Sequence, residues 1–210
     1  MDTKLFSGAV LAGGRSLRMG EDKAKLNIGG RTFLQVQAEK LIAAGIQDII
    51  VSLGAPQGAG ENAAGLTLPD IPGMRVRTVA DSAPGLGPLE GIRAVLEASE
   101  NKHCVILSVD SVLVKAQTLN DLMKLAAESG SAITLLASGR GPEPLIGVYS
   151  KEILPEVSEC LSRGQRAVRA VFKAFPPALL TVPEGDQQLL NCNTPEDYLD
   201  LSKIYKESHL

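Results

Sequence analysis

Short apolar runs alternate with segments of helical periodicity along most of the chain. Runs rich in apolar and β-branched residues predict four strands in the first half, at Phe6–Ala12, Asp48–Leu53, Met74–Val79 and Cys104–Val109. Apolar residues at helical spacing predict three helices, over Phe33–Ala44, from Pro88 or Leu89 to Ser99, and over Leu119–Ser129. Unbroken apolar runs are typical of parallel strands that are covered on both faces. The alternation predicts an α/β three-layer sandwich with a mainly parallel, Rossmann-like sheet.

The pattern is less regular in the second half of the chain. The segments expected there are, in order, a strand at Ala132–Leu136, a loop at Gly139–Pro144, a strand at Leu145–Tyr149, helices over Lys151–Ser162 and Gln165–Ala174, and a short edge strand at Leu179–Val182. A last helix should begin after Thr194, which is a good N-cap. Pro195 suits the first helical position, and Asp197 can reach back to the cap from the third.

The composition narrows the class of protein. A chain of 210 residues with 44% hydrophobic and 21% charged residues suits one globular domain, residues 1–210, with a sizeable core. A net charge of −3, few aromatic residues and no Trp argue against a nucleic-acid partner, which favours basic surfaces and stacking rings. No stretch approaches the roughly 18 apolar residues of a membrane span, and no signal-peptide pattern precedes the first strand. We therefore expect a cytoplasmic enzyme with no membrane partner.

The spacing of cysteine and histidine gives no sign of a structural metal or a disulfide framework. Cys104, Cys160 and Cys192 are odd in number and far apart, without any Cys-x-x-Cys. His103 and His209 lack metal-ligand spacing.

A glycine-rich, basic segment follows directly on the first predicted strand. Residues 11–26 read LAGGRSLRMGEDKAKL. Glycine lets the backbone approach an anion closely, with its N–H groups pointing at the charge. The basic residues outnumber the acidic ones, with Arg15, Arg18, Lys23 and Lys25 against Glu21 and Asp22. The segment predicts a phosphate-binding site.

Two aspartates follow other predicted strands in the same manner. Asp81 comes after the third strand and Asp110 after the fourth. In open α/β sheets ligands bind outside the carboxyl ends of the strands, so both carboxylates should lie near the glycine-rich loop. A lone Asp at such a place is more often a cap or a loop residue, but three polar sites on one edge are harder to dismiss. Since Mg²⁺ binds one or two carboxylates together with substrate phosphates, the set fits nucleoside triphosphate chemistry.

Common phosphate-binding and catalytic motifs do not account for the loop. A Walker motif fails because Gly14 and Gly20 are one residue too far apart and Glu21 stands where its lysine should be. A dinucleotide fingerprint is missing after the first strand, and Gly58–Ala63 is a chance near-match that no helical pattern follows. No Gly-x-Ser-x-Gly nucleophile elbow is present.

The segment Leu11–Lys23 closely resembles the signature of the MobA-like nucleotidyltransferases, which include the molybdenum cofactor guanylyltransferases. The resemblance extends over nearly the whole chain and in the same order. Gly87–Ile92 resembles the family's second motif, Asp110 falls where the family holds Mg²⁺, Glu143–Tyr149 resembles a late strand, and Asn191–Asp197 resembles the closing motif. The resemblance implies the fold of the nucleotide-diphospho-sugar transferases.

The resemblance also implies an activity and the residues that perform it. A terminal phosphate of molybdopterin would attack the α-phosphorus of GTP and release pyrophosphate, with Mg²⁺ as cofactor. The implied nucleotide-binding residues are Leu11, Ala12, Gly13, Gly14, Lys23, Asp81 and Asp110. Lys23, Arg18 and Asp110 would be catalytic, Asp110 would hold the metal, and Asn191 and Asn193 would line the acceptor side. Residues 1–112 would form the nucleotide-binding half and residues 113–210 the acceptor-side half, and transient contact with other proteins of cofactor biosynthesis is expected.

Two departures from the family pattern leave alternatives open. Ser111 and Val112 follow Asp110 where the family usually has a small or apolar residue and then Pro, so the local backbone is expected to differ. Leu53 and Gly54 stand where the family commonly places Asn and Arg near the base, and a long mobile loop is predicted over Gly54–Gly73. The alternatives are a cytidylyltransferase or sugar-phosphate nucleotidyltransferase of the same fold, and a non-catalytic nucleotide-binding relative.

Overall fold

The computed structural model describes residues 3–13, 22–54, 75–83 and 85–208. Gly14, Arg18 and the predicted mobile loop beyond Gly54 lie outside these ranges. Within them the chain forms nine strands: β1 (Phe6–Leu11), β2 (Asn27–Ile28), β3 (Arg31–Thr32), β4 (Asp48–Ser52), β5 (Arg75–Val79), β6 (His103–Ser108), β7 (Ile133–Ser138), β8 (Gly141–Ser150) and β9 (Ala178–Thr181). The α-helices of the same ranges are α1 (Phe33–Ala43), α2 (Pro88–Ala98), α3 (Ala116–Ser129), α4 (Leu154–Ser162) and α5 (Pro195–Glu207).

Seven of the described strands form one sheet in the order β5-β4-β1-β6-β8-β7-β9. Only β8 runs antiparallel to its neighbours in that sheet, and every other described pairing in it is parallel. All six residues of β1 and all five of β4 are buried, as expected for central strands covered on both faces. The predicted mainly parallel sheet is confirmed, and β9 lies at its edge as predicted.

Helices cover both faces of the sheet, and alternate residues of each central strand serve opposite faces. In β1, Val10 belongs to the core under α1, α3 and α5, whereas Ala9 and Leu11 belong to the core under α2 and α4. Val105 and Ile106 of β6 divide in the same way. This period of two confirms the three-layer sandwich. None of the helices in the described ranges is long and apolar enough to span a membrane.

The predicted loop at Gly139–Pro144 is wrong, because β8 begins at Gly141 and forms a hairpin with β7. The turn residues are Gly139 and Arg140. Pairing of β8 with β6 extends only to Ile146, so the first half of β8 has a described neighbour on one side alone. Pro144 lies where the register with β7 shifts. Prolines are tolerated at such edges and irregularities, because a missing N–H breaks no ladder there.

The predicted helix over Gln165–Ala174 is confirmed only in part, because it is shorter and is not an α-helix. A 3₁₀ helix runs over Val168–Lys173, and residues 165–167 are not helical. Val168 and Val171 are its buried residues. Side chains three apart eclipse one another in a 3₁₀ helix, so this spacing buries both on one side.

The prediction that the last helix begins after Thr194 is confirmed. Thr194 is the N-cap of α5, and its Oγ1 accepts from the Asp197 amide at 3.1 Å. The Asp197 carboxylate accepts in return from the amides of Thr194 and Asn193. This capping box fixes the backbone directly before α5, where the closing motif lies.

Gly147 offers a test of how closely the antiparallel strand is packed. It pairs with Ile106 on one side and Leu135 on the other, and a Cβ there would overlap the Thr134 carbonyl oxygen. We predict that Gly147→Ala lowers the free energy of unfolding by about 3 kcal/mol, because this clash is with backbone. Urea denaturation measures the change. Gly30→Ala is the control, since its Cβ meets open space and only its positive φ is strained, at a cost of about 1 kcal/mol. An equal loss in both variants would contradict the packing argument.

Candidate active site

The carboxyl ends of four parallel strands, β1, β4, β5 and β6, meet at one edge of the sheet. The chain remains hydrogen-bonded there after the strands end, since the Ala12 amide donates to the Ser52 carbonyl at 2.8 Å and the Val109 amide to the Leu11 carbonyl at 3.1 Å. The Leu53 amide likewise donates to Val79 at 3.0 Å. The start of the first loop, Asp81 and Asp110 therefore follow strands that end at this one edge.

Gly13 is the last residue described before residue 22, and packing explains why it is glycine. A Cβ at Gly13 would lie 2.5 Å from the amide nitrogen of Gly54 and 2.7 Å from its Cα. Gly54 itself has φ +72°, a conformation that side chains disfavour. Two backbones therefore touch at this point, and a larger residue at position 13 would push the loops after β1 and β4 apart.

Lys23 meets Asp110 and Asn193 at this edge. Asp22 caps a short 3₁₀ helix, Lys23–Lys25, by accepting from the Ala24 amide, which fixes the backbone of Lys23. The Lys23 Nζ donates to Asp110 Oδ2 at 2.7 Å and to Asn193 Oδ1 at 2.8 Å. The Lys23 and Asp110 side chains are only 18% and 14% exposed, so solvent screens this pair less than a surface pair.

Neighbouring side chains orient the carboxylate of Asp110 and the amide of Asn191. The Ser108 hydroxyl donates to Asp110 Oδ1, which leaves Oδ2 facing Lys23. The Ser111 hydroxyl donates to Asn191 Oδ1 at 3.1 Å. The turn after β6 thus holds the segment that precedes α5, and Asp110 and Asn191 are placed by the same turn.

The oxygen atoms around the Lys23 ammonium suit a hard cation. Asp110 Oδ2 and Asn193 Oδ1 both lie within 3 Å of one nitrogen, so the two oxygens converge. Carboxylate and amide oxygens are ligands of Mg²⁺, which keeps several waters and takes further ligands from substrate phosphates. Within the described ranges, three or more His, Cys, Asp or Glu side chains are nowhere close enough together to hold a metal by themselves. The oxygen of Asn193 beside Asp110 was missed by sequence reasoning, which placed Asn193 on the acceptor side alone.

Asp81 lies at the same edge of the sheet, but its charge environment differs from that of Asp110. Its Oδ1 is buried and has no hydrogen-bond partner among the described residues. Burial raises the pKa of Asp81, and the charge of Glu90 raises it further, while Arg93 and the Ser52 hydroxyl act in the opposite direction. A Cβ at Gly91 would come within 4 Å of Leu11, Ser52 and Asp81, so the glycine keeps α2 close to this pocket.

Glu90 of α2 supports the turn that carries Asp81. Its side chain is 1% exposed, and one carboxylate oxygen accepts from the Ser82 amide at 2.9 Å. Arg93 donates to both oxygens, at 2.7 and 2.8 Å. These hydrogen bonds from Arg93 are the main reason that the pKa of Glu90 falls to about 2. Glu90 is a supporting residue that sequence reasoning missed, although it lies within the second family motif, Gly87–Ile92.

A cavity of about 350 Å³ opens beside Asp110. The end of β6, the first half of β8, the start of α2, the segment 167–169 and both asparagines of the closing motif enclose it. Its polar lining residues are Ser108, Asp110, Ser111, Glu143, Arg169, Asn191 and Asn193. The cavity is thus open to the same carboxylate that contacts Lys23, and it is large enough to receive a substrate group.

Comparison with known proteins shows which family the chain belongs to. Residues 8–179 match the model of the MobA-like NTP transferase domain. The chain belongs to the MobA-like NTP transferase family. An Opitutus terrae relative described as "Probable molybdenum cofactor guanylyltransferase" is 32% identical over 200 residues, which cover 91% of this chain and 92% of the relative.

Solved structures share the fold over nearly the full length. The Archaeoglobus fulgidus molybdopterin-guanine dinucleotide biosynthesis protein A superposes with a TM-score of 0.76 at 21% identity, covering 96% of this chain and 99% of the other. A Mycobacterium tuberculosis protein crystallised with manganese has a TM-score of 0.67 at 21% identity, covering 95% and 98%. The 4-diphosphocytidyl-2C-methyl-D-erythritol synthase of Anaerococcus prevotii has a TM-score of 0.71 at 14% identity, covering 98% and 97%.

The low pKa of Glu90 predicts a pH dependence of stability. A pKa lowered from 4.5 to about 2 means that the Glu90 carboxylate stabilises the fold above pH 4.5 and that this contribution is lost as the pH falls toward 2. Glu90→Gln should therefore be less stable than the wild type near pH 7, by about 3 kcal/mol at 1.36 kcal/mol per pKa unit. The difference should shrink between pH 4.5 and 2.

Urea denaturation at a series of pH values measures this difference. Glu97→Gln is the matched control, because Glu97 contacts the same Arg93 but is 50% exposed, and its removal should cost less than about 1 kcal/mol. A Glu90→Gln deficit that stays constant from pH 7 to pH 2 would show that the ionised carboxylate is not its source.

Proposed function

We propose that this protein transfers GMP from GTP to the terminal phosphate of molybdopterin, releasing pyrophosphate, in the synthesis of molybdopterin guanine dinucleotide. Membership of the MobA-like NTP transferase family and full-length relatives described as molybdenum cofactor guanylyltransferases support it. The observation that carries the proposal is the contact of Lys23 with Asp110 and Asn193 at the carboxyl edge of the sheet. A cation and two oxygen ligands meet there beside a glycine-rich loop.

The nucleotide would bind along the ends of β1, β4 and β5. The backbone of Leu11–Gly14 is assigned to the base and phosphates, in keeping with the tight contact of Gly13 with Gly54. Asp81 is assigned to the base or sugar, because its buried Oδ1 has no described partner and so offers an acceptor to a ligand N–H or O–H. Lys23, with Arg18 from outside the described residues, is assigned to the triphosphate.

Asp110 would hold Mg²⁺, and Asn193 Oδ1, which converges with Asp110 Oδ2 on the Lys23 nitrogen, would provide a second oxygen ligand. Bound Mg²⁺ supplies positive charge to the phosphates and orients them. The Lys23 ammonium lies between these two oxygens. We infer that Lys23 turns from Asp110 toward the triphosphate once the site is loaded, since the phosphates then carry the larger negative charge.

The acceptor would enter through the cavity of about 350 Å³ beside Asp110. Asn191 and Asn193 line it, and Arg169 supplies a positive charge at its wall. Residues 1–112 would then form the nucleotide-binding half and residues 113–210 the acceptor-side half. Asp110 lies at the boundary, where an attacking phosphate and the α-phosphorus must meet.

The chemistry requires positioning and charge neutralisation more than a reactive side chain. The attacking phosphate is already an anion, so no protein nucleophile is needed. The obstacles are repulsion between two anions and the charge that builds on the leaving pyrophosphate. Lys23 donates to the phosphates on the leaving side, while the asparagines orient the acceptor. Ser108 keeps the Asp110 carboxylate in one orientation through its hydrogen bond to Oδ1.

Pyrophosphate release tests the proposal directly. The purified protein is incubated with GTP, CTP, UTP or ATP, with and without molybdopterin, at millimolar Mg²⁺. We expect release with GTP only when molybdopterin is present. Release with CTP instead would favour a cytidylyltransferase, and binding of a nucleotide without any release would identify a non-catalytic relative.

Removing either charged partner should abolish most turnover. Lys23→Ala and Asp110→Ala should each lower the rate of pyrophosphate release at least about 100-fold, because a positioned charge is lost from the transition state. Lys25→Ala is the matched control, since Lys25 lies in the same 3₁₀ helix but is exposed, and its rate should stay within about twofold. Near-normal release by both Lys23→Ala and Asp110→Ala would refute the assignment.

Asp81→Asn should gain stability and lose nucleotide affinity. Because the folded-state pKa of Asp81 is raised, its carboxylate is tolerated worse in the fold than in the unfolded chain, and stability falls as the pH rises through that pKa. The ligand-free variant should therefore melt at a higher temperature than the wild type at pH 7. Its affinity for GTP, measured by calorimetry, should fall about tenfold or more with the loss of a charged acceptor. Unchanged GTP affinity would remove Asp81 from the nucleotide site.

A further inference from the structure

Two polar side chains of α1, Gln37 and Lys40, contact the turn that carries Asp110. Gln37 is fully buried, and its Nε2 donates to the Ser108 carbonyl at 2.6 Å. The Lys40 Nζ donates to Gln37 Oε1 at 3.0 Å and to the Val112 carbonyl. Neither side chain takes part in the reaction proposed above.

The two carbonyls bound by this pair lie on either side of Asp110. Ser108 precedes it by two residues and Val112 follows it by two. The turn has weak hydrogen bonds of its own, since the Ser111 amide donates to the Ser108 carbonyl at 3.3 Å and the Val114 amide to the Ser111 carbonyl at 3.2 Å. The shorter contact from Gln37 and the contact from Lys40 therefore fix the ends of the turn against α1.

Packing of α1 does not require these polar groups. The helix already buries Phe33, Leu34, Val36, Ala38 and Leu41 against the sheet. Burial of Lys40, with a smaller contribution from Arg31, lowers its pKa to about 7, so the amine is held where its charged form is disfavoured. Both the ammonium and the neutral amine carry enough hydrogens to donate to Gln37 and Val112 together. A half-buried lysine that turns its amine onto a glutamine and a backbone carbonyl, on a helix that is otherwise well packed, needs an explanation other than core formation.

We propose that Gln37 and Lys40 are positioning residues that set the place of the Asp110 carboxylate by holding the Ser108 and Val112 carbonyls. The inference rests on the proposed function, because it concerns the divalent metal that Asp110 is assigned to hold. Ser108 connects Gln37 directly to the Asp110 carboxylate. Its carbonyl accepts from Gln37, and its hydroxyl donates to Asp110 Oδ1. Loss of the pair should loosen the approach of Asp110 to Asn193, and so weaken metal binding without removing a ligand.

Lys40→Met tests the proposal, because methionine keeps most of the stem and loses the donor. We expect Mn²⁺ binding to the protein saturated with a GTP analogue that resists cleavage after the α-phosphate, measured by electron paramagnetic resonance, to weaken about tenfold. The Mg²⁺ concentration that gives half-maximal pyrophosphate release should rise by a similar factor, with kcat at saturating Mg²⁺ within about threefold of wild type. Lys40→Arg, which keeps a donor, should recover most of the metal affinity.

Gln37→Glu is the second variant, since it is nearly isosteric and removes the N–H that binds the Ser108 carbonyl. It should weaken Mn²⁺ binding even if Lys40→Met fails to fold. Glu39→Gln is the control on the same helix, because Glu39 contacts Arg31 and not the turn, and its Mn²⁺ affinity should match the wild type. Wild-type Mn²⁺ affinity in Lys40→Met or Gln37→Glu would overturn the positioning role, whether or not the variant melts at a lower temperature.

The outcome for the wild type separates the two proposals. Binding of Mn²⁺ that disappears in Asp110→Asn supports the assigned metal site, and the positioning role then stands or falls on the α1 variants alone. Wild-type protein whose Mn²⁺ binding is unchanged by Asp110→Asn would overturn the metal assignment and, with it, the inference drawn from it.

Discussion

The ammonium group of Lys23 connects three segments that are far apart in the sequence. Its hydrogen-bond partners Asp110 and Asn193 lie 87 and 170 residues away along the chain. The hairpin β2–β3 helps this contact to form, because it lies just after Lys23 and is bound to α5. The Tyr198 hydroxyl donates to the Asn27 carbonyl, and Arg31 donates to the Tyr205 hydroxyl at 2.9 Å. These hydrogen bonds align the segment around Lys23 with the closing motif.

The sequence predicted most of this site because the relevant residues follow parallel strands. Asp81 and Asp110 each come soon after a strand end, and parallel strands bring such ends to one edge whatever their order in the sheet. The capping box of Thr194 and Asp197 was equally predictable, since it depends on residues three apart. The prediction of Asn193 was incomplete, because nothing local shows that its amide oxygen faces the Lys23 ammonium. Contacts between distant segments depend on packing that the residue pattern does not encode.

The errors in the fold prediction have local causes that can be named. Prolines at 142 and 144 indicate a loop in isolation, yet this half of β8 pairs with β7 alone, where a missing N–H is tolerated. The hairpin β2–β3 was overlooked although Gly29 and Gly30 carry a recognisable signal. Both have positive φ, of 59° and 80°, as two-residue hairpin turns require. Strands of two residues are too short for the period-two pattern on which strand prediction relies.

The departure from the family pattern after Asp110 has a structural counterpart. Ser111 and Val112 are both buried, and each provides a contact that fixes the turn. Ser111 donates through its hydroxyl to Asn191, and the Val112 carbonyl accepts from Lys40. The closing motif and α1 therefore hold the turn from both sides. The backbone difference expected from Ser111 and Val112 does not require a shift of the Asp110 carboxylate.

The acidic side chains at the sheet edge are neutralised by neighbouring cations to different degrees. This difference indicates which of them a ligand can contact with the largest gain in binding free energy. Glu90 is neutralised by Arg93, and Asp110 is neutralised by Lys23. Asp81 lies close to Glu90, is partly desolvated, and has an oxygen without a described partner. A ligand group that donates a hydrogen bond to Asp81 offsets the free-energy cost of its partly desolvated carboxylate. A cation that binds Asp110 must instead first displace the Lys23 ammonium. The displaced ammonium then needs a new anion, and a triphosphate lying between the two aspartates would provide one. Nucleotide and metal should accordingly bind better together than either binds alone.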